Sequence, residues 1–317
     1  MTDQNTHVLD SGQKDHFMKH GFLRLTDCFS REKAASWTDD MWARLGYSPT
    51  DKSTWASERV DMPYHRSEPV QTFAPKAWAA ICELLGGEDR VAEESAVWDD
   101  AFIVNLGTEE SKGKTPCPRK FLDWRVYGDS FVHFLDSPEQ GLLVIPLFSD
   151  IQKHGGGIMY AHPEGVSPNM ALRDQPQILD FCNSTIRNFS EFHEMTGTVG
   201  DVILLHPLMC HSASVNSVRV PGVMANHQVS LKEPFDFDRK DARQYSLVER
   251  KTLQVLGKDQ LRGWKITSDR ETVAPDRLRT QRRMKELERL QLAEALESID
   301  STNGVCCLRR DSCRGRE

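Results

Sequence analysis

The sequence predicts a mixed α and β protein: a mostly helical N-terminal third, a central antiparallel β-sandwich or barrel, and helices again toward the C-terminal end. Two observations carry this. Before residue 97 the apolar residues recur at helical spacing. Between 98 and 240 they come instead in short runs separated by Gly, Pro, Asp and Ser. Strands at that spacing, with no helical stretch between them, pair antiparallel, whereas a parallel sheet alternates strand with helix.

The elements follow in order. After a polar lead over 1–10, Ser11 is a candidate N-cap for a helix carrying Phe17 and Met18, which Gly21 stops. Phe22-Leu23-Arg24-Leu25 alternates as a short strand. Ser30 caps a second helix, in which Ala34, Trp37, Met41, Trp42 and Leu45 share a face. Pro75 opens a third, with Trp78, Ile81, Cys82 and Leu85 inward and Gly86-Gly87 as its stop. The tryptophans read as core. Strand candidates are 101–105, 124–127, 142–148, 157–161, 201–205 and 223–231. Residues 276–297 are rich in Arg, Glu, Lys and Gln, with Met284, Leu287, Leu290 and Leu296 as a narrow stripe. This is the pattern of a solvated surface helix; a partner-binding helix is the other reading. The expected organisation is one domain over 11–298 (11–97 mostly helical, 98–240 the β core, 241–298 C-terminal helices), with disordered ends at 1–10 and 299–317.

Composition bounds the function. Lys and Arg number 40 against 47 Asp and Glu among 317 residues, a net charge of −7 that gives no reason to expect nucleic acid as a partner. A hydrophobic fraction of 38% is too high for whole-chain disorder. No signal-peptide pattern is present, and no apolar run approaches the roughly 18 residues of a membrane span. The eight cysteines (28, 82, 117, 182, 210, 306, 307, 313) form no CxxC pair, so reduced thiols and a cytoplasmic setting are expected. Cys306 and Cys307 read as part of an unstructured tail, with a metal or redox pair as the alternative.

One segment suggests chemistry. The apolar strand over 201–205 ends in His206-Pro-Leu-Met-Cys-His211-Ser-Ala-Ser. A histidine at a strand end after a Gly-Asp turn is one way an iron ligand is presented, although a hydrogen-bonded structural histidine is commoner. The surrounding segments resemble the phytanoyl-CoA dioxygenase family of non-heme Fe(II) and 2-oxoglutarate dependent oxygenases. The resemblance is carried by DKSTWASERVDMPYHR (51–66), TFAPKAWAAICELLGGEDR (72–90), FIVNLG (102–107), GDSFVHFLDSPEQGLLVIPLFSD (128–150), GDVILLHPLMCHSAS (200–214), VSLKEPFDFDR (229–239) and YSLVERKTLQVLG (245–257). It spans about residues 12 to 290 and implies a double-stranded β-helix (jelly-roll) core. Fold alone does not settle function.

Such enzymes hold iron with two histidines and one carboxylate. The first histidine and the carboxylate lie two residues apart on one strand, so both face one side. The resemblance matches those positions to Arg125 and Tyr127, and the distal histidine to His211. Arginine has no acceptor and a permanent charge, so it cannot ligate iron; a neutral tyrosine is a poor ligand for Fe(II). The family's 2-oxoglutarate arginine, eleven residues after the distal histidine, falls on Gly222. Arg219 nearby sits at an odd offset, on the opposite face of a regular strand. His133 and Asp136, three apart, split across faces and read as structural. Asp129 with His211 and one of His133, His154 or His206 is a conceivable improvised site, and Asp123 and Asp129 are the candidate partners for the Arg125 charge.

The leading expectation is therefore a pseudo-oxygenase: the fold kept, iron and 2-oxoglutarate not bound by this chain alone, and the chain serving as the non-catalytic subunit of a heterodimer with an active paralogue in oxidative tailoring of a small secondary metabolite. A divergent dioxygenase, or an isomerase independent of 2-oxoglutarate that uses His211, Tyr127 and Asp129 as acid–base groups, is the alternative. A small-molecule binding module is another, and a drifted copy without function a fourth.

Overall fold

In this computed structural model the residues described are 8–126, 128, 130–161, 175–189 and 191–291. Residues up to Pro275 form one compact unit and those from Asp276 a second. In the second, 276–291 are helical, with Leu287 and Leu290 exposed and ion pairs at i,i+3 spacing such as Glu286 with Arg289.

Helix α1 (Ser11–His20) begins one residue earlier in its capping than the sequence suggested. Asp10, not Ser11, is the N-cap: its carboxylate accepts the Gln13 N–H at 2.8 Å, and the Gln13 side chain accepts the Asp10 N–H at 3.0 Å. This capping box also sets a negative charge against the positive end of the helix dipole. The expected second helix is two, α2 (Arg31–Thr38) and α3 (Met41–Leu45). Side chains compete with the helix at the break: the Thr38 hydroxyl bonds back to the Ala34 carbonyl at 3.1 Å, and Asp39 and Asp40 turn out to meet Arg66 at 2.7 and 2.8 Å. Helices α4 (Val70–Phe73), α5 (Pro75–Leu85), α6 (Gln175–Thr185) and α7 (Leu247–Val255) follow in the first unit.

The strands are β1 (Phe22–Leu25), β2 (Arg59–Asp61), β3 (Ser67–Pro69), β4 (Val97–Asp99), β5 (Phe102–Asn105), β6 (Leu142–Pro146), β7 (Ile158–Ala161), β8 (Phe192–Glu194), β9 (Val202–Leu205), β10 (Cys210–Ala213), β11 (Gly222–Ala225) and β12 (His227–Val229). All pairings among the described residues are antiparallel. One layer joins a sheet ordered β1-β9-β6-β12 to a second ordered β11-β5-β2, through a bridge between Leu147 and Met224. The other layer is β10-β7-β8, extended beyond β10 by a bridge between Arg125 and His211. Two antiparallel layers with helices outside form the expected jelly-roll core.

Two faces explain the apolar run over 142–148. Leu143 and Ile145 point between the layers, with Ile203, Leu205, Tyr160 and Met224. Leu142 and Val144 point outward into a larger cluster with Phe17, Leu84, Trp98 and Val248, which the helices supply. A strand buried on both faces cannot alternate in hydropathy. A third cluster sets Trp124, Val126, Met159 and Cys210 against Cys182 and Ile186.

The expected strand over 223–231 is two, β11 and β12, split at Asn226; of the strand expected over 124–127, Tyr127 lies outside the described residues and 124–126 carry a single bridge, at Arg125. The tail over 299–317, with Cys306 and Cys307, lies outside the described residues. No described helix is long and apolar enough to cross a membrane.

Helix α7 ties the outer layer together through polar groups. Glu249, with no exposed surface, receives the N–H of Ser246 at 2.7 Å, the N–H of Asp236 at 3.0 Å, and the guanidiniums of Arg239 at 2.8 Å and Arg90 at 3.2 Å. Removing one member of a buried charge network strands the others, at a cost of about 3–5 kcal/mol. We expect Glu249→Ala to lower the urea midpoint by that equivalent. An exposed substitution such as Glu286→Ala is expected to leave the midpoint essentially unchanged.

Candidate functional site

The side chain matched to the family's distal histidine sits in a row that crosses the smaller layer. Arg125 pairs with His211, His211 with Tyr160, and Tyr160 with His193. Residues directly opposed in antiparallel pairs point to one face. Tyr160 belongs to the cluster between the layers, so the row faces the interior, whereas Trp124, Met159 and Cys210 face outward. Tyr160 stacks on His193 with centroids 5.5 Å apart, and Phe22 of β1 packs on Tyr160 at 4.5 Å.

Arg125 and His211 exchange both backbone hydrogen bonds, at 2.9 and 2.8 Å. The His211 ring is buried, and its Nδ1–H donates to the Met209 carbonyl at 3.1 Å, which leaves the lone pair on Nε2. Burial first, then the Arg125 charge, pushes its pKa down to about 4, against the opposing pull of the Met209 carbonyl and of Asp123. At neutral pH His211 is a neutral imidazole.

The Arg125 guanidinium finds a carboxylate, and it is the first of the two expected partners. Asp123 lies 3.5 Å from Arg125 and 3.5 Å from Arg59 of β2, and it also accepts the Ser212 hydroxyl. Asp129, the other expected partner, and Tyr127 lie outside the described residues. Among the described residues no cluster of three His, Cys, Asp or Glu side chains has metal-binding geometry. Of the matched ligand positions described, only His211 offers a donor atom, so the described residues do not fit a facial triad.

Gly222 opens β11 opposite Asn105. A Cβ there would lie 3.0 Å from Ile151 Cδ1 and 3.2 Å from the Gly155 carbonyl oxygen, so a long side chain has no free path from this position. Arg219 is no substitute, though the reason differs from strand parity. It precedes β11 in a turn, with φ +53°, and is buried over the Trp55 ring at 5.3 Å in an ion pair with Glu109.

The remaining candidates are dispersed. His133 stacks on Phe131 at 4.5 Å and its Nε2 meets the Gly128 carbonyl. Asp136 pairs with Arg270 at 2.8 Å. His206 accepts the Leu208 N–H on Nδ1 at 3.3 Å and donates from Nε2 to the Thr252 hydroxyl at 3.0 Å, locking β9 to α7. His154 adopts φ +62°, its N–H bound to Glu194 at 2.7 Å. These contacts are structural.

Sequence reasoning missed Arg59 and Asn105. Both lie on inner faces beside the row, because β2 and β5 put Arg59 opposite Asn105. Together with Asp61, Asp123, Ser214 and Phe121 they line a cavity of about 530 Å³ between the layers. The alternation Arg-Val-Asp over 59–61 was the available signal.

No family model matches the chain and no curated protein matches it. Among solved structures, similarity is found to HygX from Streptomyces hygroscopicus with nickel, 2-oxoglutarate and hygromycin B bound (13% identity, TM-score 0.42, covering 71% of this chain and 88% of that one). It is also found to the non-heme α-ketoglutarate dependent carbocyclase SnoK from nogalamycin biosynthesis (14%, 0.36, 73% and 86%), and to EctD from S. alaskensis in its apo form (16%, 0.38, 75% and 84%). These similarities concern fold. They correct one expectation: that iron and 2-oxoglutarate are not bound by this chain. HygX holds nickel with 2-oxoglutarate in one structure and iron in another, so that reading is withdrawn.

A pH dependence follows from His211 and from His227, which is buried, stacked on Trp98 at 5.2 Å, and pushed down to about 3 by desolvation. Both histidines bind a proton in the unfolded chain near pH 6.5 that they refuse in the folded one. Their contribution is therefore complete above about 6.5 and is lost as pH falls toward their folded values, each adding up to about 1.4 kcal/mol per pH unit. We expect urea midpoints to fall steadily below about pH 6.5, and His227→Phe to make that fall shallower.

Proposed function

We propose that this chain is a phytanoyl-CoA dioxygenase-like protein that supports oxidation of a small organic metabolite without carrying the oxygenation step: the non-catalytic subunit of a heterodimer with a triad-bearing paralogue. The observation that carries this reading is Arg125. A permanent cation stands directly opposite His211 and is held there by Asp123, where the family's first histidine would be. A guanidinium cannot give a lone pair to a metal. The neutral, buried His211 keeps its place in the fold, consistent with selection on the scaffold and its surface. The cytoplasm is the setting we assign, from the absence of any cysteine pairing pattern in the sequence.

The experiment is co-expression with the nearest triad-bearing relative from the same source, purified through a tag on one chain. We expect the two to co-purify and turnover to need both. His211→Ala in this chain should leave the turnover of the pair within about twofold, while the matching change in the partner abolishes it. Uncoupled decarboxylation of 2-oxoglutarate by this chain alone with Fe(II), lost on His211→Ala, would overturn the reading.

A further inference from the structure

Two thiols meet on the outer side of the smaller layer. Cys210 opens β10, one residue before His211, and so points away from the interior row into the cluster that α6 covers. Cys182 comes from α6, and its sulfur accepts the Cys210 S–H at 3.6 Å. The two residues are 0% and 2% exposed, among Trp124, Val126, Met159 and Ile186. The other described cysteines stand elsewhere: Cys28 donates to the Leu25 carbonyl, Cys82 lies in α5, and Cys117 is exposed.

Packing alone asks only for small apolar volume at these two positions. Two sulfurs in contact add chemistry. A disulfide needs them to close from 3.6 Å to about 2.05 Å, which side-chain rotation and a small movement of one helix provide. The hydrogen bond also sorts their roles. Cys210 keeps its proton: contact with Cys182 first, and burial second, hold its pKa well above the ordinary thiol range. Cys182 receives that bond, which favours negative charge on its sulfur and makes it the nucleophile.

Access comes through α6. The helix lies on the outside of the layer, and its polar ties run over the surface. Asn183 donates to the Leu122 carbonyl at 3.1 Å, and just beyond the helix Arg119 donates to the carbonyls of Arg187 and Phe189. Outer elements of this kind open locally without global unfolding, and a small opening admits an oxidant the size of peroxide.

We propose that Cys182 and Cys210 are a redox-sensitive pair, held as thiols in a reducing setting, that hydrogen peroxide closes into a disulfide joining α6 to β10. The Cys182 thiolate attacks one peroxide oxygen. An S–O bond forms, the O–O bond breaks, and the hydroxide released takes up the proton that Cys182 lost. The Cys210 sulfur then attacks the sulfenic sulfur. The S–S bond forms, the S–O bond breaks, and the departing hydroxide leaves as water with the Cys210 proton. Two thiols are oxidised and one peroxide is reduced to two waters. The bond clamps the strand that carries His211 and meets Arg125, so the rigidity of that row follows the oxidant level. The inference does not depend on the heterodimer reading, since it concerns this chain alone.

The test is a peroxide titration of the full chain after reductant is removed. Remaining thiols are then alkylated in denaturant, and the chain is digested with trypsin without reduction and mapped by mass spectrometry. Trypsin places Cys182 and Cys210 on separate peptides, 174–187 and 188–219. The expected product is these two joined, lighter than their sum by two hydrogens and lost on treatment with dithiothreitol. The oxidised chain should show a raised urea midpoint that dithiothreitol reverses, because the bond constrains the unfolded chain. Cys182→Ala should abolish that rise and leave Cys210 alkylated; should the variant not fold, the peptide map of the unaltered chain decides. Absence of the joined peptide, Cys182 or Cys210 joined mainly to another cysteine, or a joined pair with an unaltered urea midpoint would each overturn the proposal. Co-purification with a paralogue is unaffected by any of these outcomes, so the two readings fail separately.

Discussion

Two buried asparagines hold the end of the sandwich on which everything at the site depends. Asn105 reaches from β5 to the carbonyls of Gly156 and Ser214, and so binds one layer to the other. Asn216 answers from the far side, donating to the Asn105 carbonyl at 2.9 Å and to the Val220 carbonyl at 2.7 Å, while its Oδ1 receives the Arg219 N–H at 2.8 Å. Neither residue has appreciable exposure, so these bonds work in a low-dielectric setting where an amide left unpaired is expensive. The knot also dictates its neighbours. Gly156 has φ +77°, and a Cβ there would lie 2.5 Å from Asn105 Nδ2, so no other residue fits. Arg219 enters its left-handed turn because Asn216 caps its amide, and that turn delivers the chain into β11 at Gly222.

Within this frame the row Arg125, His211, Tyr160 and His193 has a definite electrostatic character. A cation and an imidazole share adjacent positions, and the imidazole answers by staying neutral. Asp123 makes the arrangement tolerable. One carboxylate serves two arginines, one from each layer, and so acts as a strut across the mouth of the cavity as well as a counter-charge.

Much of the architecture was legible in the residues. The helix at Pro75 with its glycine stop, the strand at Phe22 and the doubly buried run over 142–146 stand where the periodicity put them, because each is governed by burial. Elements whose pairing is set by tertiary contact were not. β2 and β8 are short, half-buried and polar. α6 overturns the expectation of strands alone over 98–240, although Asp174 before it and Pro176 at its second position were start signals in the sequence. At the site, the identity of Arg125 was visible and so was its need for a counter-charge. That Asp123 supplies it, that Arg59 shares it, and that Asn105 keeps an unmet oxygen depend on strand register, which a linear pattern leaves open. The strand-parity argument against Arg219 does not apply, since no strand runs through that residue.

The capping of the first helix has a bearing on how the molecule is made. Lys251 of α7, drawn down in pKa by burial, donates its ammonium to the Met18 and Lys19 carbonyls at 2.8 and 3.1 Å, closing the C-terminal end of α1 from 233 residues away. The strand that follows α1 pairs, among the described residues, with β9 alone. During synthesis the N-terminal segment therefore emerges long before either the lysine that caps it or the strand that pairs it. The outer apolar face of α1, with Phe17 at its centre, stays unburied until α7 has left the ribosome. α1 and β1 are thus among the later elements to reach their final place, and the apolar face of α1 is open to chaperones and to aggregation in the interval.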